Sequence, residues 1–313
     1  MVVAAGTDSA AAEPDAWHRI FIFDHYGELL ALVHNSIVAG AVLGIVGGLV
    51  SVFVLMRDLP FAVHGISELS FAGAAAALLA GGSVVVGSLA GSVLAALLIG
   101  GLGIRARDRN SIIGVLMPFG LGLGVLFLSL YQGRTANKFG LLTGQIVAID
   151  TPALSWLIGV SVIVVVALGL IWRPLVFASL DADVAAARGV PVRLLSPVFM
   201  LLLGMTVAMS VQIVGALLVL SILVTPAAAA MRVTAAPALT VVLSVVFATV
   251  STVGGILLAL GSAIPISPYV TTISFMIYVA ARGVGWARER RGWVGRRVPA
   301  RRLVPAEPVG HHP

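Results

Sequence analysis

The chain has 313 residues and a formal net charge of +6, and 59% of its residues are hydrophobic while only 10% are charged. These values exclude an ordinary soluble domain, and several uncharged runs approach or exceed the roughly 20 apolar residues that a helix needs to cross a bilayer. The absence of cysteine excludes disulfides, zinc–thiolate sites and thiol catalysis. We therefore expect an all-α, polytopic transmembrane helical bundle.

The N-terminal segment, residues 1–28, is acidic, because residues 1–34 hold five acids against Arg19 alone. It lacks the basic start followed by an apolar stretch that marks a cleavable signal peptide, so the first span itself would direct insertion. We expect this segment to be interfacial or disordered.

The first predicted span covers residues 29–56. Within it Gly40, Gly44 and Gly48 recur every fourth residue, which strips one helix face of side chains and lets another helix approach closely. This glycine face is predicted to be an internal helix-packing seam.

The next part of the chain predicts short and bent helices. A short helix from about 64 to 80 is expected first, followed by spans at 83–103 and 111–131. Pro118 and "GLGLG" (120–124) should bend or loosen the last of these spans.

The apolar stretch at 139–149 is too short to cross a bilayer, which favours a re-entrant or interfacial segment. A span at 151–172 is predicted to follow. Arg173 should close that helix, and a polar connection should lead to Arg193.

Long uncharged runs in the second half must be divided. The 38 residues between Arg193 and Arg232 would be roughly 57 Å long as one helix, so two spans broken at "SVQ" (210–212) are predicted. The run at 233–281 should split at 261–268, where two prolines fit poorly in helix interiors.

The total is eight or nine spans in one integral membrane domain, residues 29–286, followed by a basic tail, residues 287–313. Residues 282–313 hold eight arginines against two glutamates. Lys and Arg near spans collect on the cytoplasmic side, so the tail and the arginine-bearing loops are predicted to be cytoplasmic. Because the tail directly follows a span, lipid headgroups are a better partner for it than nucleic acid.

The segment "SLDADVAAARGVPVRLL" (179–195) predicts a helix of under ten residues on the cytoplasmic face. Asp181 or Asp183 can cap it, Gly189 can end it, and Pro191 prevents its extension. Its small residues suit docking into a groove on a partner. A capped surface helix within a loop is the alternative.

An acid followed by alanines and then glycine, between two spans, resembles the coupling helix with which ABC importer permeases contact their ATPase subunits. More specifically, over about residues 33–285 the chain resembles the metal-uptake permease family of ABC transporters, which includes zinc and manganese importers. The matching segments are "GIVGGLVSVFVLMRDLPF" (44–61), "LLTGQIVAI" (141–149), "LDADVAAARGVP" (180–191) and "VGALLVLSILVTPAAAA" (214–230).

The resemblance implies a permease subunit in the cell membrane that works as a homodimer or pseudodimer. Its partners would be two cytoplasmic ATPases, which bind the ATP, and an extracytoplasmic metal-binding protein; no permanent cofactor is implied. The only lysine, Lys138, is not part of a Gly-Lys-Ser/Thr phosphate loop, so the chain is expected to be neither its own ATPase nor an enzyme. The implied coupling-helix residues are Asp183, Ala185, Ala186, Ala187 and Gly189.

The segment "FAVHGISELSFAG" (61–73) carries His64 and Glu68 one helical turn apart. In the resembling family this helix reads Gly-Asp, two residues, then Ser-His, and its Asp and His line the ion path. Here Ser67 stands at the Asp position and Phe71 at the His position, while His64 and Glu68 lie on the same helix face. The candidate ion-path residues are therefore His64, Glu68, Ser67 and Ser70.

Imidazole with carboxylate suits zinc, manganese or iron, and we favour zinc. Two protein ligands are incomplete for zinc, so Ser67, Ser70, water or the dimer mate would complete the site. A salt-bridged pair near the cytoplasmic mouth is the structural alternative for His64 and Glu68. A stand-alone secondary transporter or channel, or an ABC permease for a chelated metal or cofactor, are the functional alternatives.

Overall fold

The computed structural model describes residues 30, 33–102, 106–133, 138, 140–142, 144, 149–260 and 265–290, without the side chains of 106–108 and 289. No strand occurs in these ranges. The helices are α1 (His34–Met56), α2 (Pro60–Leu79), α3 (Val84–Leu102), α4 (Ala106–Leu130), α5 (Thr151–Leu180), α6 (Ala182–Ala187), α7 (Val192–Val214), α8 (Val219–Leu223), α9 (Thr225–Val233), α10 (Pro237–Leu260) and α11 (Ile266–Arg290), with a 3₁₀ turn at Ala216–Leu218.

Nine stretches in the described part of the chain are long and apolar enough to cross a membrane. Eight of them are single long helices, and the ninth, Ala216–Val233, combines the 3₁₀ turn with α8 and α9. The predicted all-α bundle with broken and short helices is thus confirmed.

Helix α5 is longer than predicted. It runs through Arg173 to Leu180, so the prediction that Arg173 closes the helix and opens a polar connection is wrong. Pro174 removes one backbone hydrogen bond without ending the helix. The helix continues because the turn after the proline buries Leu175 and Ala178 against the rest of the bundle.

The break predicted at 210–212 is also misplaced, because the chain breaks at Gly215 instead. The Ser210 hydroxyl donates to the Thr206 carbonyl oxygen at 2.9 Å, so this polar residue is satisfied inside a buried helix. Gly215 ends α7 with a φ of 81°, a left-handed conformation that favours glycine.

The other boundaries lie close to their predicted positions. Helix α2 begins earlier than expected, at Pro60, and α4 passes Pro118 as one helix. Helix α10 ends at Leu260 and α11 begins at Ile266, within the stretch where the run was predicted to split, and Pro268 lies in the first turn of α11. The segments at 1–28, most of 287–313 and most of 139–149 lie outside the described residues.

Helix α1 packs against α10 along its glycine face. A Cβ atom on Gly44 would lie 2.5 Å from the Thr249 Cα atom, and one on Gly48 would lie 2.5 Å from the Val245 Cα atom. The two backbones are close enough for the Ser244 hydroxyl to donate to the Gly48 carbonyl oxygen at 2.7 Å. Residue numbers rise along α1 while they fall along α10, so the helices are antiparallel.

One end of the bundle, which we name the arginine-rich end, collects arginines from several helices. Arg57 follows α1 and lies near Arg109 of α4. Arg232, in the last turn of α9, packs against Gly285 of α11. Both groups share this end, because one crevice there is lined by residues of α1, α5, α9 and α10. Helix α6 follows α5 directly and therefore lies at this end too.

Candidate ion path and docking helix

Helix α2 carries the candidate ion-path residues and is enclosed by α3, α4 and α7. It starts at Pro60, whose fixed φ suits the first helical turn. Glycines let its neighbours approach closely: Gly73 lies against the backbone of Gly87 in α3, and a Cβ atom on Gly120 of α4 would lie 2.9 Å from the Glu68 carbonyl carbon. Glu68 is therefore held by tight helix packing.

Glu68 lies deep within its candidate span. By helix rise it is about 12 Å from the start of α2 and about 16 Å from its end. The residue is 3% exposed, and the nine candidate spans of the described chain contain no other Asp or Glu. A carboxylate at this depth is costly unless it is paired or hydrated, which makes it a candidate for function.

His64 is the polar neighbour of Glu68. Its Nε2 atom lies 3.7 Å from Glu68 Oε1, and its side chain is 29% exposed. This distance fits an ion pair but is too long for a hydrogen bond. Glu68 Oε2 is buried and has no hydrogen-bond partner within the described residues. The pair therefore leaves one carboxylate oxygen available to a cation or to water.

The two candidate serines make other hydrogen bonds. The Ser67 hydroxyl donates to the His64 carbonyl oxygen at 2.8 Å, within the helix. The Ser70 and Ser88 hydroxyl oxygens lie 2.8 Å apart, and Ser88 donates to the Ala208 carbonyl oxygen at 3.3 Å. Ser70 thus joins a network that connects α2, α3 and α7, and a role for either serine in an ion site stays a prediction.

Phe71 fills the position at which the resembling family carries histidine. Its ring is fully buried, and a Cβ atom on Gly124 of α4 would overlap it. Sequence reasoning expected the "GLGLG" segment to loosen α4, yet Gly120 and Gly124 receive residues of α2. The missing side chain of Gly124 explains how α2 carries an aromatic ring here without displacing α4.

The candidate ligands do not form a closed metal site. Where the structure describes the chain, no group of three or more His, Cys, Asp or Glu could hold a metal ion. His64 and Glu68 supply two ligands, whereas a structural zinc site uses four. An incomplete ligand set suits transient contact with an ion better than permanent binding.

Helix α6 is short, capped and mostly exposed. Asp181 Oδ1 accepts hydrogen bonds from the amides of Asp183 and Val184 at 3.1 and 3.0 Å, so Asp181 is the cap. Gly189 follows the helix with a φ of 84°. Ala185 is buried, whereas the other residues of the helix are exposed. The helix thus presents a surface of mainly small side chains at the arginine-rich end.

The arginine-rich end carries positive charge close to α2. The Arg57 guanidinium lies 5.6 Å from the centroid of the Phe199 ring of α7. Burial lowers the pKa of Arg57, and the nearby Arg109 guanidinium also lowers it. Arg57 Nη1 and Arg109 Nε are buried without a hydrogen-bond partner among the residues described. The electrostatic potential at this end of α2 is therefore positive.

Comparison with known proteins identifies the family to which the chain is similar. The family described as "ABC 3 transport family" matches residues 30–284. The manganese transport system membrane protein MntC of Halalkalibacterium halodurans is 28% identical over 239 residues, which cover 75% of this chain and 81% of that protein. The high-affinity zinc uptake system membrane protein ZnuB of Haemophilus influenzae is 23% identical over 253 residues, which cover 80% of this chain and 97% of that protein.

A solved structure has the same fold. PsaBC from Streptococcus pneumoniae in complex with Fab matches with a TM-score of 0.75 and 22% sequence identity, covering 85% of this chain and 98% of that chain. The four sequence segments that carried the resemblance all lie within the region matched by the family. The predicted resemblance is confirmed.

Proposed function

The chain belongs to the ABC 3 transport family, and on this premise we propose that it is the membrane-spanning permease subunit of an ATP-driven importer for a divalent metal ion. The observation that carries the proposal is Glu68, a buried carboxylate with one unpartnered oxygen and the only acid in the candidate spans of the described chain. A proton- or sodium-coupled carrier working alone would need more such groups.

The proposed cargo is an ion of the manganese or zinc type. Relatives named for manganese and for zinc transport are similar over most of the chain. The Glu68 carboxylate suits manganese and the His64 imidazole suits zinc, so the pair accommodates either ion. The sequence alone favoured zinc, and the manganese-named relatives make manganese the first ion to test.

The ion path is proposed to run beside α2. An extracytoplasmic metal-binding protein would deliver the ion at the end opposite the arginine-rich end. The ion would then pass Glu68 and next His64, which lies one turn nearer the arginine-rich end. The positive-inside rule places that end in the cytoplasm, and with it the C-terminus. Both ligands thus act in series on a cargo ion that neither holds permanently.

ATP hydrolysis on a partner subunit is proposed to act on the permease through α6. Its exposed residues Asp183, Ala186 and Ala187 would dock into a groove on a cytoplasmic ATPase subunit, which holds the ATP. Ala185 anchors the helix to the bundle. Because α6 directly precedes α7, and α7 contacts α2, a displacement of α6 can reach the ion path through a single helix. A second copy of the chain and its ATPase would complete a homodimeric transporter in the cell membrane.

Reconstitution in vesicles tests the proposal. The permease, purified with its ATPase subunit, should accumulate manganese or zinc only when ATP is supplied on the arginine-rich side. Competition among manganese, zinc and iron in the same vesicles would identify the preferred cargo. Uphill accumulation by the permease alone would overturn the proposal in favour of a secondary transporter.

A further inference from the structure

An aromatic and arginine face runs along α11. Tyr278, Arg282, Trp286 and Arg290 follow one another at intervals of four residues, so they share one side of the helix. The Arg290 guanidinium lies over the Trp286 ring, 3.6 Å from its centroid. A face of this composition differs from the apolar surface that a helix in contact only with hydrocarbon needs.

Arginines from two different helices lie near this face. Arg282 of α11 and Arg232 of α9 are both close enough to the Tyr278 hydroxyl to interact with it electrostatically. The helices are fixed to each other at this point, because Gly285 packs against Arg232 and Arg288 donates to a carbonyl oxygen in the last turn of α9. These contacts place Arg232 beside α11, about one helical turn from Arg282.

These two cations have no acidic partner among the described side chains. His64 and Glu68, which form an ion pair within the described residues, lie in α2, far along the chain from α9 and α11. Arg232 and Arg282 are both exposed at the surface of the bundle. Their shared charge is therefore open to an external anion.

The depth of this cation pair decides which anion can reach it. The span formed by α11 ends at Arg288 and the span that contains α9 ends at Val233, so helix rise places Arg282 about 9 Å and Arg232 about 2 Å inside these limits. Phe275 and Val279, which precede Arg282 by about two turns and one turn of α11, are exposed apolar side chains. A lipid phosphate can meet arginine side chains that extend toward the interface from this level, with its acyl chains beside these apolar residues.

We propose that Arg232 and Arg282, positioned by Tyr278, bind the phosphate of an anionic phospholipid in the leaflet at the arginine-rich end. The planar donors of guanidinium match phosphate oxygens, and two converging groups can each contribute a fork. Trp286 suits the headgroup level. The exposed apolar residues of α11 contact the acyl chains. This site is separate from the ion path and requires neither metal nor ATP.

Native mass spectrometry of the purified full-length permease tests this site. Phosphatidylglycerol should remain bound through detergent exchange, whereas phosphatidylcholine should not. Each arginine near an anionic surface contributes about fivefold to affinity, so Arg232→Gln with Arg282→Gln should weaken phosphatidylglycerol retention by about 30-fold. Arg173→Gln with Arg193→Gln is the matched control, because it removes two exposed charges near the same end but outside the site.

Tyr278→Phe gives a second measurement that does not depend on removing charge. It keeps both guanidinium groups but releases them from their shared oxygen, so retention should fall less than in the double arginine variant. Equal retention of phosphatidylglycerol in this double variant and in the Arg173→Gln, Arg193→Gln control would overturn the site. Equal stabilisation of the permease by inorganic phosphate and by phosphatidylglycerol would overturn its assignment to lipid. Neither outcome affects the metal-transport proposal, since the measurement includes no cargo ion.

Discussion

Replacing Glu68 by glutamine is the sharpest perturbation of the proposed ion path. The side chain keeps its size and its place against α4, but it loses the charge that a divalent cation would meet. Transport should therefore fail while the protein still inserts and folds. Glutamine also removes a buried charge with an unsatisfied oxygen, so thermal stability should stay equal or rise.

The expected loss follows from the electrostatics of the site. At an effective dielectric constant of about 20, two unit charges 4 Å apart attract by about 4 kcal/mol, and a divalent ion doubles this to about 8 kcal/mol. Desolvation of the buried carboxylate and of the ion cancels more than half of that attraction. A net loss of about 3 kcal/mol remains for Glu68→Gln, which corresponds to about 100-fold slower uptake at limiting metal.

The assay measures ATP-dependent manganese and zinc uptake in vesicles together with the melting temperature of the purified permease. Asp58→Asn is the matched control, because it removes the same charge from an exposed carboxylate in the turn between α1 and α2. Asp58 has a φ of 53°, a conformation that asparagine also adopts, so this control should fold and transport normally.

Normal uptake by Glu68→Gln at limiting metal would refute the reasoning, since no other Asp or Glu in the described candidate spans could replace its charge. Loss of uptake together with a marked fall in melting temperature would equally refute it. That result would assign Glu68 to the stability of the bundle and not to the ion path.

Three further changes test the rest of the structure. Ala186→Arg should abolish metal-coupled ATP hydrolysis because it enlarges the exposed surface of α6, while Ala236→Arg at the same end should leave coupling intact in the same hydrolysis assay. Asp181→Ala should cost α6 about 1 kcal/mol by removing its cap, seen as faster amide hydrogen exchange over the helix. Gly48→Ala should lower the free energy of unfolding by about 1–3 kcal/mol, because its Cβ atom would meet the α10 backbone, and the melting temperature should fall with it. Gly159→Ala, with open space around the new Cβ atom, should not lower the melting temperature.

Part of the candidate site was accessible from local sequence alone. His64 and Glu68 lie one helical turn apart. Asp181 caps α6 through amides two and three residues later in the chain. Both features therefore depend only on residues within one helical turn of each other. The lengths of the uncharged runs indicated eight or nine crossings, since a helix in lipid must satisfy its backbone internally. These features need no knowledge of which helices become neighbours.

The predicted helix boundaries that are wrong are those at which contacts with neighbouring helices determine where the helix ends. Arg173 with Pro174 looks like a helix end, and Ser210 looks like part of a break. Both lie within helices because burial of the following turns, and a hydrogen bond to the preceding turn, stabilise the helical backbone there. Local propensity is weak compared with such packing, so it was overridden in both places.

The sequence by itself determined that this protein is a helical membrane bundle that carries a carboxylate, Glu68, within an apolar stretch, and a short capped helix. Few other structures are possible, because charges and unpaired backbone groups are unfavourable in lipid. Only the tertiary structure decided that Phe71 fits against Gly124, and that Arg232 packs against Gly285. These contacts join residues some 50 positions apart, as the helices cross and recross the membrane. Their formation depends on which helix faces pack together, and the spacing of residues within one helix does not predict this.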